Sequence, residues 1–162
     1  NNGFINVYSE LGRGSTFKVY LPRCEAEGVA AAEQAHPQAA TGAETVLLVE
    51  DDPALLKSSA RMVELLGYTV LEANGPAEAL RLAQEYAGAI HLLMTDVVMP
   101  GMSGRDLHQQ IGALRPEIKC LYMSGYTANV IAHHGVLDPG IHFLAKPFTR
   151  RDLAAKLREA LA

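Results

Sequence analysis

From Thr45 onward the chain alternates between short apolar runs and longer amphipathic stretches. The runs are "TVLLV" (45–49), "YTVLE" (68–72), "HLLMT" (91–95), "IKCLYM" (118–123) and "IHFLA" (141–145). Near-continuous apolar runs of this length suit parallel strands covered on both faces, and regular strand–helix alternation suits a doubly wound sheet. The pattern therefore predicts an α/β fold with five parallel strands, five helices and helices on both faces. Start signals agree with it. Asp52-Pro53 sets a capping carboxylate before a proline at the first helical position. Ser103 with Asp106, and Thr149 with Asp152, have capping-box spacing. Leu55, Leu56, Met62, Val63 and Leu66 are the expected buried stripe of the first helix.

The preceding residues differ in kind. Residues 1–23 read as two short strands: Phe4, Ile5, Val7 and Tyr8 in one, Phe17, Val19 and Leu21 in the other, with Gly12 and Gly14 breaking between them. An isolated hairpin is marginal in water, so this piece is expected to belong to a larger sheet. Residues 24–44, "CEAEGVAAAEQAHPQAATGAE", are alanine-rich with one larger aliphatic, Val29. Such a stretch buries too little to offset its ordering entropy and reads as a disordered linker, leaving 45–162 as the main domain. The chain opens without Met and already in strand-like alternation, which reads as a piece of a longer protein.

Bulk properties narrow the function. Formal charge is −4, which argues against a dedicated nucleic-acid binder. No apolar run has the length of a membrane helix, and no signal-peptide pattern opens the chain. Cys24 and Cys120 lack metal-ligand spacing, which suits a reduced, cytoplasmic chain.

In open α/β sheets the working site lies beyond the carboxyl ends of the strands. Here those ends carry Glu50, Asp51 and Asp52, then Asp96, then Ser124, then Lys146. Converging carboxylates repel unless a cation joins them, and Mg²⁺ suits an incomplete carboxylate cage. Asp96 can then act as a nucleophile toward a phosphoryl group, with metal and ammonium around the equatorial oxygens. Asp52, directly before Pro53, is better placed as a helix cap than as a ligand. The His133-His134 pair lacks further ligands and reads as a solvated helix end; His91, His108 and His142 read as structural.

Four motifs, "VLLVEDDP", "MTDVVMPGMSG", "YMSGYT" and "FLAKPF", in this order and spacing resemble the receiver domain of bacterial two-component signalling. The resemblance runs from about Glu44 to Leu161 and implies a flavodoxin-like sheet of order 2-1-3-4-5. It implies Asp96 as phosphoacceptor, Asp51 as a direct Mg²⁺ ligand, Glu50 as a ligand through water, and the Val98 carbonyl as a further ligand. Ser124 and Lys146 would contact the phosphoryl group, and Phe143 takes the switch position where many relatives carry Tyr. A cis Lys146–Pro147 bond is expected.

"GFINVYSELGRGSTFKVYLPR" resembles the last strands of the histidine kinase ATP-binding domain. The parent protein implied is a hybrid sensor histidine kinase, and its remaining ATP-site motifs and phosphorylatable-histidine helix are not in this stretch. The phosphodonor implied is a histidine kinase core or a histidine phosphotransfer protein, without nucleic-acid or membrane contact by these residues. With no DNA-binding domain after Ala162, the expected output is phosphorelay, control of the kinase or partner docking. Two alternatives stand beside this: an aspartyl-phosphate phosphatase of dehalogenase type, and a degenerate receiver that only binds partners. The first needs a second acid two residues after the nucleophile, where this chain has Val98. The complete set of acids, Ser124 and Lys146 argues against the second. In receivers the residues two beyond the phosphoacceptor and two beyond the hydroxyl residue flank the approach of water. The resemblance places Val98 and Tyr126 there; neither orients water well, and slow loss of the phosphoryl group is expected.

Overall fold

A computed structural model describes residues 3–12, 14–21, 42–125 and 141–162. The chain divides into two compact units, residues 1–37 and 38–162. In the first, β1 (Phe4–Glu10) and β2 (Gly14–Tyr20) pair antiparallel, Phe4 opposite Tyr20 and Val7 opposite Phe17. The turn uses positive φ at Gly12 (78°) and Gly14 (93°), a region open to glycine at little cost. Phe4 and Tyr20 stack with ring centroids 4.6 Å apart.

The second unit runs β3 (Thr45–Val49), α1 (Pro53–Glu64), β4 (Thr69–Ala73), α2 (Pro76–Glu85), β5 (Leu92–Asp96), α3 (Gly104–Leu114), β6 (Lys119–Ser124), β7 (His142–Ala145) and α4 (Arg150–Leu161). Its five strands are parallel in the order β4-β3-β5-β6-β7, which is 2-1-3-4-5 counted within the sheet. Four helices lie among the described residues. The helix expected between the fourth and fifth strands falls on 126–140, outside them, as does most of the linker.

Successive strand residues face opposite sides of the sheet, and each side finds its own helices. Leu47, Val49, Leu93, Cys120 and Tyr122 pack with Ala79, Ala83, Leu107 and Ile111 of α2 and α3. Val46, Leu48, Met94, Leu121 and Met123 pack with Leu56, Ala60, Val63, Leu153 and Leu157 of α1 and α4. Two covered faces explain why Val46, Leu47, Leu48 and Val49 of the inner strand β3 are all apolar, whereas β4 at the sheet edge carries the exposed Glu72.

All three capping signals form. Asp52 accepts from the N–H groups of Ala54 (2.8 Å) and Leu55 (3.0 Å). Ser103 accepts from Asp106 N–H at 3.2 Å, and Thr149 with Asp152 closes a full capping box. The buried stripe of α1 needs one correction. Leu56, Ser59, Ala60 and Val63 are buried, but Leu55 is 49% exposed. At 100° per residue, Leu55 sits about a quarter-turn off the Leu56–Ala60–Val63 face, on the helix flank.

Two further contacts brace the unit. Arg115 donates through Nε to Ala83 O (2.8 Å), through Nη1 to Gly88 O (2.8 Å), and through Nη2 to Tyr86 O, closing the end of α2. Ahead of β3, Gly42 N–H donates to Leu66 O at 3.3 Å, and Glu44 pairs with Arg158 at 3.3 Å. The Arg158 guanidinium lies 5.4 Å from the Tyr68 ring centroid. A Cβ at Gly42 would fall 2.0 Å from that ring, so only glycine seats there.

The histidines of the described residues have structural partners. His91 Nδ1 accepts from Thr45 N–H (2.9 Å), His108 Nδ1 lies 3.0 Å from the Tyr122 hydroxyl, and His142 Nδ1 lies 3.6 Å from Glu159. His133 and His134 lie outside the described residues, as does Cys24; Cys120 is a buried free thiol.

Candidate functional site

Sheet register brings the strand ends together. Val49 pairs with Thr95, so Glu50 emerges beside Asp96. Asp96 pairs with Met123, the residue before Ser124, and Ser124 pairs with Ala145, the residue before Lys146. Lys146 N–H then donates to Ser124 O at 2.8 Å, continuing the ladder by one step. The Lys146–Pro147 bond is cis, as expected.

Lys146 Nζ donates to Asp96 Oδ2 at 2.9 Å and also to Glu50 Oε2. Carboxylate oxygens of Glu50, Asp51 and Asp96 all lie within 4.8 Å of one another. They differ in exposure: Glu50 is 2% exposed, the Asp96 side chain 16%, and Asp51 lies open. Burial raises the Glu50 pKa, and its hydrogen bond to Lys146 only partly opposes that. Burial also works against the Lys146 charge, but hydrogen bonds and attraction from both acids outweigh it and carry its pKa upward.

The three oxygens suit a hard cation. Carboxylate oxygens gathered this closely could share one hard cation, directly or through water. One ammonium against three carboxylates leaves an excess of negative charge that favours a divalent ion.

The other candidates are distributed as follows. Ser124 is buried at the end of β6, Phe143 is half-buried in β7, and Val98 is exposed in the loop after Asp96. Asp52 is occupied as the α1 cap. Tyr126 lies outside the described residues.

Gly104 belongs to the site's support and was not singled out from the sequence. It opens α3, its N–H donates to Val97 O at 3.0 Å, and a Cβ there would lie 2.2 Å from Asp96 O. The first turn of α3 therefore rests on the Asp96 backbone. A glycine directly after the Ser103 cap, where alanine is a better helix former, was the available signal.

Set beside known proteins, this arrangement is that of a two-component signalling receiver. Residues 46–158 match the family described as response regulator receiver domain, and the chain belongs to that family. It is 39% identical over 167 residues to the sensor kinase CckA of Brucella abortus, covering 98% of this chain and 18% of that protein. It is 30% identical to the response regulator receiver protein CpdR of the same species, covering 72% of this chain and 95% of that one. Among solved structures, the receiver domain of the hybrid histidine kinase CckA aligns with a TM-score of 0.61 at 35% identity, covering 73% of this chain and 99% of that one. A chemotaxis protein of Vibrio cholerae, CheY4, shares the fold with a TM-score of 0.65. The chain spans 18% and 26% of the first two curated relatives it matches. Receiver domains bind Mg²⁺ at an acidic pocket and work with histidine kinases or phosphotransfer partners. Among the described residues, no helix is long and apolar enough to cross a membrane.

Proposed function

We propose that Asp96 accepts a phosphoryl group from a phosphohistidine, in a Mg²⁺-dependent reaction, as the receiver of a hybrid sensor histidine kinase in the cytoplasm. The observation that carries this is Lys146 Nζ at 2.9 Å from Asp96 Oδ2, beside carboxylates that can hold a divalent cation. Asp51 would bind the ion directly, Glu50 through water, and Val98 through its carbonyl. When bound, Mg²⁺ would supply charge compensation for the phosphoryl oxygens.

The chain's own groups do the rest. An Asp96 carboxylate oxygen forms the new bond to phosphorus as the bond to the histidine nitrogen breaks; with the other ring nitrogen of the phosphohistidine protonated, the products are an acyl phosphate and a neutral imidazole. Lys146 is held charged for the equatorial oxygens, Ser124 offers a hydroxyl to them, and Phe143 responds to its movement. Val98 at the second-acid position disfavours the dehalogenase-type phosphatase, and the complete acid set disfavours a receiver that only binds partners. Lacking a polar group to orient water, Val98 also favours slow hydrolysis. The similarity to a sensor kinase over 98% of the chain supports a hybrid kinase context, with residues 1–23 as the end of its ATP-binding domain.

Mass spectrometry after incubation with a small acyl phosphate tests the reading. The chain should gain one phosphoryl group with Mg²⁺ and none with chelator, and Asp96→Asn should gain none. Labelling that persists in Asp96→Asn refutes it.

A further inference from the structure

Asn74, in the loop between β4 and α2, reaches across to the turn that carries the acids. With its amide oriented to donate, Nδ2 lies 3.2 Å from Glu50 O and 3.0 Å from Asp51 O. The opposite orientation would set an oxygen against two carbonyl oxygens, which cannot hydrogen-bond, so the donating orientation is the one chemistry allows. Asn74 is itself held on both sides. Its backbone N–H donates to Glu78 Oε2 at 2.9 Å, and Gly75, at φ 112°, lets the chain turn at once into Pro76 and α2. Just before it, Ala73 O accepts from Glu50 N–H at 3.2 Å, the last rung between β3 and β4.

These two carbonyls belong to the peptide planes on either side of the Asp51 Cα. The planes rotate about that atom through φ and ψ alone, so fixing both fixes the direction of its Cα–Cβ bond. Asp51 needs such support because its side chain is exposed on a turn rather than held in the core.

We propose that Asn74 is a positioning residue for the acid turn: one side-chain amide pins the carbonyls flanking Asp51 and thereby aims the Asp51 carboxylate at the cation. This rests on the metal-dependent reading above, and it adds a residue from an element that contributes no ligand.

The test is Mn²⁺ binding to the whole chain, followed by the electron-paramagnetic signal of the free ion, well below the melting transition. Asn74→Leu keeps much of the side-chain volume and removes the donor; Asn74→Ala is the second variant. Each should weaken Mn²⁺ binding about tenfold, the low end for loss of an outer-shell partner. A purely structural asparagine would lower the melting temperature of the metal-free variants but leave their affinity unchanged. Wild-type Asn74 side-chain amide protons should also exchange slowly by nuclear magnetic resonance, a measurement that needs no variant. If wild type binds Mn²⁺ and both variants bind within twofold of it, or if the amide protons exchange at the solvent rate, the positioning role is overturned. If wild type binds no Mn²⁺, or Asp51→Asn binds it equally well, the metal reading falls and the positioning role with it.

Discussion

The hairpin of β1 and β2 and the parallel strands of the receiver look alike as strings of apolar letters, yet they end in opposite environments. Phe17 is 67% exposed, whereas Val46, Leu47, Leu48 and Val49 are all at 0%. In β3, odd and even residues each meet a layer of helices, so both faces are covered. The hairpin places Ile5 opposite Val19 on one face and Phe4 opposite Tyr20 on the other, with no second layer among the described residues of its unit. Apolar spacing specifies a strand; burial depends on how many layers the rest of the fold supplies.

The largest test of this contrast is paired truncation. Leu93→Ala should cost the receiver about 2–5 kcal/mol in urea unfolding, because Leu93 is fully buried between sheet and helices. Phe17→Ala should leave that transition unmoved; a comparable loss would show that the hairpin shares the receiver's core. Next comes Gly104→Ala. Alanine is the better helix former by about 1 kcal/mol, but its Cβ would meet Asp96 O at 2.2 Å, so the overlap decides the sign. A net destabilisation of about 2 kcal/mol is expected by denaturation, with loss of Mg²⁺-dependent labelling by mass spectrometry. A stabilised, active variant would show that α3 can retreat freely.

Asp52→Ala should cost about 1 kcal/mol as a lost cap, with Mn²⁺ affinity held within about twofold. A tenfold loss of affinity would make Asp52 a ligand instead. The smallest effect is a pH slope. Burial holds the His108 pKa below its ordinary 6.5, so the folded ring takes up a proton less readily than the same ring in the unfolded chain. Stability therefore falls as pH drops through about 6.5, by under ~1 kcal/mol between pH 7 and 6. His108→Gln should flatten that slope in thermal melts; an unchanged slope would assign it to another group.

Much of this was legible in the sequence. The inner strand β3 is apolar after its first residue because both its faces are covered, and Asp96, Ser124 and Lys146 come to one rim by register alone. Asp52 was separable from Glu50 and Asp51 because a proline follows it. Leu55 was misjudged because a leucine at the flank of a helix reads the same as one at its centre. Gly104 left only the faint signal of a glycine at a helix start, and Asn74 left none: each acts on backbone carbonyl oxygens, and a backbone oxygen has no letter of its own.

The seat of Gly42 and Glu44 bears on how the receiver can be moved between proteins. A graft begun at Thr45 would carry every strand and helix of the unit and every group at its rim. It would nevertheless strip Glu44 from Arg158 and uncover the Tyr68 ring where Gly42 lies. Those contacts join the chain ahead of the first receiver strand to the residues before β4 and to the last helix, away from the acidic rim. The transplantable piece therefore begins three residues earlier than its first strand, and a chimera joined at Gly42 should keep a brace that one joined at Thr45 discards.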